Sequence, residues 1–281
     1  MVTRRRFMQV DVFESGPLSG NPLAVVLDGE GLTAEQMQQL TDWTNLSEAT
    51  FLLPPTDPGA DYRARIFCPG RELPFAGHPT LGSCHAWLTG GGEPRVEGVI
   101  VQECGAGLIE IRHQGDRLAF AAPPTTRSGP VEGALLAQRL DQLGLSGDDV
   151  VDAAWIDNGP GWMGLLLGSV DVVLDVALPA GQLNGFEVGL VGLHPPGAET
   201  AVEIRAFFAD ATGSVREDPV TGSLNASVAQ WLLGTDRVVS PYVAAQGRAV
   251  GRAGHVAVHE ADGEVWVGGR STVVIEGSVI L

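Results

Sequence analysis

An α+β fold of two similar, β-rich halves is the class this sequence predicts, and three observations carry it. A motif occurs twice, as Phe75-Ala76-Gly77-His78-Pro79-Thr80-Leu81-Gly82-Ser83 and as Val215-Arg216-Glu217-Asp218-Pro219-Val220-Thr221-Gly222-Ser223. His78 and Asp218 are 140 residues apart, and the same offset matches Phe67 to Phe207, Gly82 to Gly222 and Ser83 to Ser223, which is the register of a duplicated domain. The chain has 281 residues, enough for one large domain or two of about half that size. Its 38 glycines and 18 prolines mark many turns between short strands.

The elements follow in order. Phe7 to Phe13 alternates like a strand, Ser19-Gly20-Asn21-Pro22 is turn chemistry, and Leu23 to Leu27 is a second strand. Thr33 with Gln36 forms a capping box ahead of a helix reaching Thr44. Asn45-Leu46-Ser47-Glu48 leads into the strand Phe51-Leu52-Leu53, and Tyr62 to Phe67 alternates again. A helix starting at His78-Pro79 carries Leu81, Cys84 and Leu88 as one apolar stripe. Strands at Gly98 to Val101, Leu108 to Arg112 and Arg117 to Phe120 complete the first half.

Ala122 to Pro130 reads as a linker, rich in Pro and Gly and without periodicity. The expected boundaries are residues 1–124, with or without the C-terminal strand 272–281, and residues 125–271. In the second half a helix is expected at Gly133 to Leu143, strands at Val151 to Ile156, Trp162 to Leu167, Val172 to Val176, Phe186 to Leu193 and Val202 to Phe208, and a second motif helix with Leu224, Val228, Trp231 and Leu232. Strands at Val256 to Val258, Val265 to Gly268 and Thr272 to Ile275 close the chain. Both motif helices carry few charges and are expected to be buried inside their own sheets. His78 and Asp218 read as N-caps with proline at the first helical position.

Composition removes several classes of function. Lys and Arg total 17 against 34 Asp and Glu, a net charge of −17, which argues against nucleic acid or an anionic membrane as partner. Cys68, Cys84 and Cys104 cannot all pair within one chain and lack metal-ribbon spacing, so neither a disulfide scaffold nor a zinc site is expected. Arg4-Arg5-Arg6 is followed by Gln9-Val10-Asp11 rather than by an apolar run, so the start reads as a strand and not as an export signal. No stretch has transmembrane length, and a reducing cytoplasm is the expected compartment. No nucleotide loop and no metal-ligand spacing occurs, so no cofactor and no metal is expected.

Asp11-Val12-Phe13, Gly20-Asn21-Pro22, Asn45-Leu46-Ser47-Glu48, the run Pro69 to Gly82 and the run Glu217 to Ser223 together resemble the PhzF (phenazine biosynthesis-like) family, and matches continue to Gln246-Gly247-Arg248 and Val267-Gly268-Gly269. The resemblance implies a diaminopimelate-epimerase-like fold, each half a curved, mostly antiparallel sheet or barrel around a central helix, with the active site in the cleft between halves. It implies a cofactor-independent isomerase that moves a proton within a small unsaturated carboxylate such as trans-2,3-dihydro-3-hydroxyanthranilate, and a homodimer.

Glu48 on spacing alone reads as a solvated glutamate before a strand; the resemblance makes it the catalytic acid and base, which requires a carboxyl tuned by a dry pocket. His78 is then a proton partner or hydrogen-bond donor, and Asp218 a hydrogen-bonding group for the substrate. Gly77, Gly222 and Ser223 would offer backbone N–H groups and a hydroxyl to the substrate carboxylate, and Asn21 is a weaker candidate contact. Related epimerases use two cysteines at the helix starts; here neither start has one, which disfavours two-thiol racemisation. An epimerase or lyase acting on an amino-acid derivative, and a non-catalytic protein of the same fold, are the competing readings.

Overall fold

The computed structural model describes residues 3–210 and 212–281. It divides into two compact units, Met1–Ala121 with Gly268–Leu281, and Ala122–Val267.

Unit 1 contains β1 (Arg4–Val12), β2 (Asn21–Val26), α1 (Ala34–Thr44), β3 (Ala49–Leu53), β4 (Tyr62–Cys68), β5 (Arg71–Leu73), α2 (Gly77–Thr89), β6 (Val99–Cys104), β7 (Gly107–Gln114) and β8 (Arg117–Ala121). Unit 2 contains β9 (Arg127–Pro130), α3 (Gly133–Leu143), β10 (Val150–Asp157), β11 (Met163–Leu167), α4 (Val170–Asp175), β12 (Glu187–Leu193), β13 (Val202–Ala209), β14 (Val215–Asp218), α5 (Gly222–Gly234), β15 (Tyr242–Gln246) and β16 (Gly254–Ala261). The long β17 (Glu264–Ile280) begins in unit 2 and ends in unit 1.

In unit 1 the ladder runs β17–β1 and β1–β2 antiparallel, β2–β3 parallel, β3–β4 antiparallel, β4–β6 parallel, then β6–β7 and β7–β8 antiparallel. Pairing of β8 with β17 closes these eight strands into a barrel, which leaves no long edge exposed to other chains. Helix α2 packs against β1, β2, β3, β4, β6 and β8, so the strands surround it. Its apolar side chains Leu81, Cys84 and Ala86 are fully buried, and Gly82 lies so close to Val12 and Leu23 that a Cβ there would meet both. Outside the barrel, α1 sets Met37 and Leu40 against Ala49, Phe51 and Phe67. The Thr33–Gln36 capping box is formed, and Asn45 ends α1 in the left-handed conformation, turning the chain toward β3.

Unit 2 repeats the order: β9–β10 and β10–β11 antiparallel, β11–β12 parallel, β12–β13 antiparallel, β13–β15 parallel and β15–β16 antiparallel. Helix α5 packs against β10 and β16, with Leu224 seated over Gly189 of β12. Asp262 and Gly263 both have positive φ, the type I′ turn that leads from β16 into β17.

Several expectations change. The segment Val172 to Val176 is not a strand; Val170–Asp175 is helical, with the Ser169 hydroxyl accepting from the Val172 amide as an N-cap. The stretch read as a linker, Ala122 to Pro130, contributes a strand, β9. Thr272 to Ile275 and Val265 to Gly268 belong to one strand. Asn21 is not on a turn but opens β2, fully buried and paired with Val12.

His78 and Asp218 are not N-caps. Helix α2 is preceded by Ala76 and α5 by Thr221, and neither cap residue's side chain accepts a hydrogen bond. Pro79 is the third residue of α2, still within the first turn, where a missing N–H costs no helical bond. Pro219 lies before the cap of α5.

The repeat is real but its register shifts. Phe67 pairs with Glu72, five residues on, whereas Phe207 pairs with Glu217, ten residues on, so the second hairpin is longer by five. The offset of 140 therefore holds through β4 and β13 and becomes 145 afterwards. Gly77-His78 thereby corresponds to Gly222-Ser223 at the helix starts, and Asp218 corresponds to Leu73 at a strand end.

Candidate active site

In unit 1 three sequence candidates converge. Glu48 lies immediately before β3, His78 is the second residue of α2, and Asn21 opens β2. His78 Nε2 is 3.4 Å from Glu48 Oε2, with side-chain exposures of 4% and 17%. Asn21 Nδ2 lies 3.5 Å from His78 Nδ1. Burial pushes the His78 ring down to about 3, so the imidazole is neutral at pH 7. A carboxylate 3.4 Å away would pull the ring the other way; for a ring this buried, loss of hydration outweighs that attraction.

Glu48 is thus a largely buried carboxyl in contact with a neutral imidazole, and a carboxyl can take a proton and return it. Gly77, at the start of α2, lies in the first turn, whose N–H groups have no intrahelical acceptor and favour an anion. Behind His78 the core is polar but bonded: Ser83 Oγ donates to Thr50 Oγ1 at 2.8 Å, and Gln102 links Tyr62 to Thr80.

In unit 2, Asp218 ends β14 and is buried; its Oδ2 accepts from the Thr221 hydroxyl at 2.6 Å. Gly222 and Ser223 are the first two residues of α5. The Ser223 hydroxyl oxygen accepts from Trp162 Nε1 at 3.1 Å, and its carbonyl accepts from Asn158 Nδ2 at 3.0 Å. Gln246, fully buried on β15, organises the group. Its Oε1 accepts from the Thr221 amide and Asn225 Nδ2, and its Nε2 donates to the Asp218 carbonyl and the Thr221 hydroxyl. Thr221 lies in the repeated motif without a role assigned to it, and Trp162 only opens an expected strand. Gln246 stood in a matched tripeptide without an assigned role.

No thiol is activated. Burial raises Cys84 far above its ordinary value and also raises Cys68 and Cys104. Among the described residues no cluster of three His, Cys, Asp or Glu could hold a metal, and no helix is long and apolar enough to cross a membrane.

A closed eight-stranded barrel around a buried helix, in a mixed α+β chain with few helices, defines an epimerase-like fold class. The sequence model of the PhzC-PhzF family, described as phenazine biosynthesis-like protein, matches residues 10–277, and the chain belongs to that family of isomerases. Antisense-enhancing sequence 1 of Schizosaccharomyces pombe is 32% identical over 296 residues, covering 98% of this chain and 99% of that protein. Trans-2,3-dihydro-3-hydroxyanthranilate isomerase of Pseudomonas fluorescens is 31% identical over 287 residues, covering 96% of this chain and 99% of that one. The crystal structure of a Bacillus anthracis phenazine biosynthesis protein of the PhzF family superposes with a TM-score of 0.85 at 20% identity, covering 99% and 100% of the two chains.

Proposed function

We propose that the chain is a cofactor-independent isomerase that moves a proton within a small unsaturated carboxylate, with Glu48 as the group that accepts and returns it. The observation that carries this is the contact between Glu48 and the buried, neutral His78. Glu48 takes a proton from a C–H conjugated to an alkene or imine, the electron pair moves into the π-system, and the carboxylic acid returns the proton at another carbon. His78 donates a hydrogen bond without changing charge. Asp218 and Ser223 are proposed as hydrogen-bonding groups for substrate, and Gly77 and Gly222 as backbone donors. A homodimer in the cytoplasm belongs to the same reading.

The raised thiols favour this single-carboxyl chemistry over a two-thiol epimerase. The substrate named for the Pseudomonas fluorescens relative is the first to assay. Wild type and Glu48→Gln are incubated with trans-2,3-dihydro-3-hydroxyanthranilate in deuterated water, following substrate loss and deuterium in product. Turnover by wild type and a loss of about 10²- to 10⁴-fold in kcat for the variant are expected. Equal rates for the two proteins would sink the role of Glu48. Absence of turnover by wild type, here and across related cyclic and amino-substituted carboxylates, would overturn the isomerase reading itself.

A further inference from the structure

In each unit a buried side chain at the start of a strand approaches the second residue of the central helix. Asn21 opens β2 and approaches the second residue of α2; Trp162 immediately precedes β11 and donates to the second residue of α5. Strands β2 and β11 occupy the same place in their ladders, each antiparallel to the strand before it and parallel to the next. A side-chain NH₂ and an indole N–H can only donate. Trp162 therefore occupies an acceptor on Ser223, whereas at His78 the role of Nδ1 depends on which ring nitrogen holds the proton.

For His78 this has a chemical consequence. Nδ1 is the ring nitrogen facing Asn21 Nδ2, and Nε2 is the one facing Glu48 Oε2. A neutral imidazole has one N–H and one acceptor nitrogen, and the partner of one decides the other. We infer that Asn21 is a positioning residue for the proposed reaction, donating to Nδ1 of His78 and so fixing the ring's proton on Nε2, where it faces Glu48. The inference rests on the reading of Glu48 as the proton-transferring group.

Asn21 is built to hold this geometry. It is fully buried and paired in the ladder with Val12. The preceding Gly20 donates its amide to Asp11 Oδ1 at 3.0 Å, and a Cβ on Gly20 would stand 2.1 Å from the Val12 carbonyl oxygen, so this approach is tied closely to β1. The ring is neutral, so tautomer and not charge is what a neighbour can set. With its proton on Nε2, the histidine presents a donor toward Glu48 whichever protonation state the carboxyl has, and cannot take its proton; the 3.4 Å approach is a contact that must shorten or realign to become a hydrogen bond. The proton is thereby kept between Glu48 and substrate carbon. The opposite tautomer would put two acceptors face to face whenever Glu48 is ionised.

The test is ¹⁵N spectroscopy of protein labelled at histidine, with His78→Gln identifying the His78 signals among the six histidines. Wild type at pH 7 is expected to show a pyridine-type Nδ1 and a protonated Nε2. Asn21→Asp replaces the donor with an acceptor and is expected to move the proton to Nδ1; Asn21→Leu is expected to leave a mixture. On a substrate that wild type turns over, Asn21→Asp should lose about 10²- to 10⁴-fold in kcat with little change in KM, the scale on which a wrongly fixed histidine tautomer acts. A wild-type ring protonated on Nδ1 overturns the inference, as does an unchanged tautomer in Asn21→Asp. Should that variant not fold, Asn21→Leu and the wild-type spectrum decide. A tautomer that switches in a protein turning over no carboxylate would defeat the proposed function while supporting the assignment of Asn21.

Discussion

A ring that is 4% exposed has lost the hydration that supports an imidazolium, and this places His78 at about 3 against 6.5 for the ordinary side chain. Between those values the unfolded chain binds a proton that the native state does not, so the contribution to stability is present above pH 6.5 and is lost as pH falls toward 3. At about 1.4 kcal/mol per pH unit the full effect is on the order of 5 kcal/mol, of which about 3 would be gone by pH 4. Urea unfolding of wild type and His78→Gln from pH 7 to 4 should give curves that converge as pH falls, because glutamine has no proton to gain. Parallel curves would mean that His78 is charged in the native state or hydrated in a way its burial does not allow. The proposal of Glu48 as the proton carrier rests, at the level of sequence, on its neighbours Asn45-Leu46-Ser47, since a glutamate ahead of a strand is unremarkable by spacing.

At the scale of elements, what the sequence concealed is what joins distant segments. The Val172 to Val176 run could be read as a strand because a short apolar stretch has no period to distinguish it from a buried helical turn, and the decisive signal was the Ser169 cap upstream. Gln246 is a sharper case. It is one residue on β15, yet it meets the end of β14 and the start of α5 through four hydrogen bonds. Nothing local to Gln246 announces partners that lie more than twenty residues away. Gln246→Leu fills the same space and removes the partners of the Thr221 amide, of one of the two Asn225 side-chain N–H groups, and of the Asp218 carbonyl on that side. Each unsatisfied buried group costs about 1–3 kcal/mol, so a loss of roughly 3–5 kcal/mol is expected by chemical denaturation. Gln246→Glu is expected to fall between, keeping the acceptor contacts and losing the donors. A leucine variant as stable as wild type would show that these bonds merely replace equivalent ones to water.

For the molecule as a whole, the duplication was visible in sequence, but the motif that revealed it is out of register with the fold. The match of His78-Pro79 to Asp218-Pro219 at an offset of 140 pairs a helical residue with a strand end, because similar letters outweighed a hairpin lengthened by five residues. The structural repeat is better marked by three other residues. Arg65 lies over the Phe67 ring and forks onto Glu72; Arg205 lies over the Phe207 ring and forks onto Glu217. The two copies share chemistry and differ in environment. The Arg65–Glu72 side chains are 23% and 41% exposed, those of Arg205–Glu217 are 5% and 5%, and Arg205 also donates to the Val173, Leu174 and Val176 carbonyls at the end of α4. An exposed pair contributes at most about 1 kcal/mol, whereas removing one partner of a buried pair leaves a charge uncompensated and costs about 3–5 kcal/mol. Glu217→Gln should therefore destabilise the chain several-fold more than Glu72→Gln, and raising salt should weaken only the exposed pair. Equal losses would show that burial does not separate the two copies and that the hydrogen-bond fork, common to both, carries the stability.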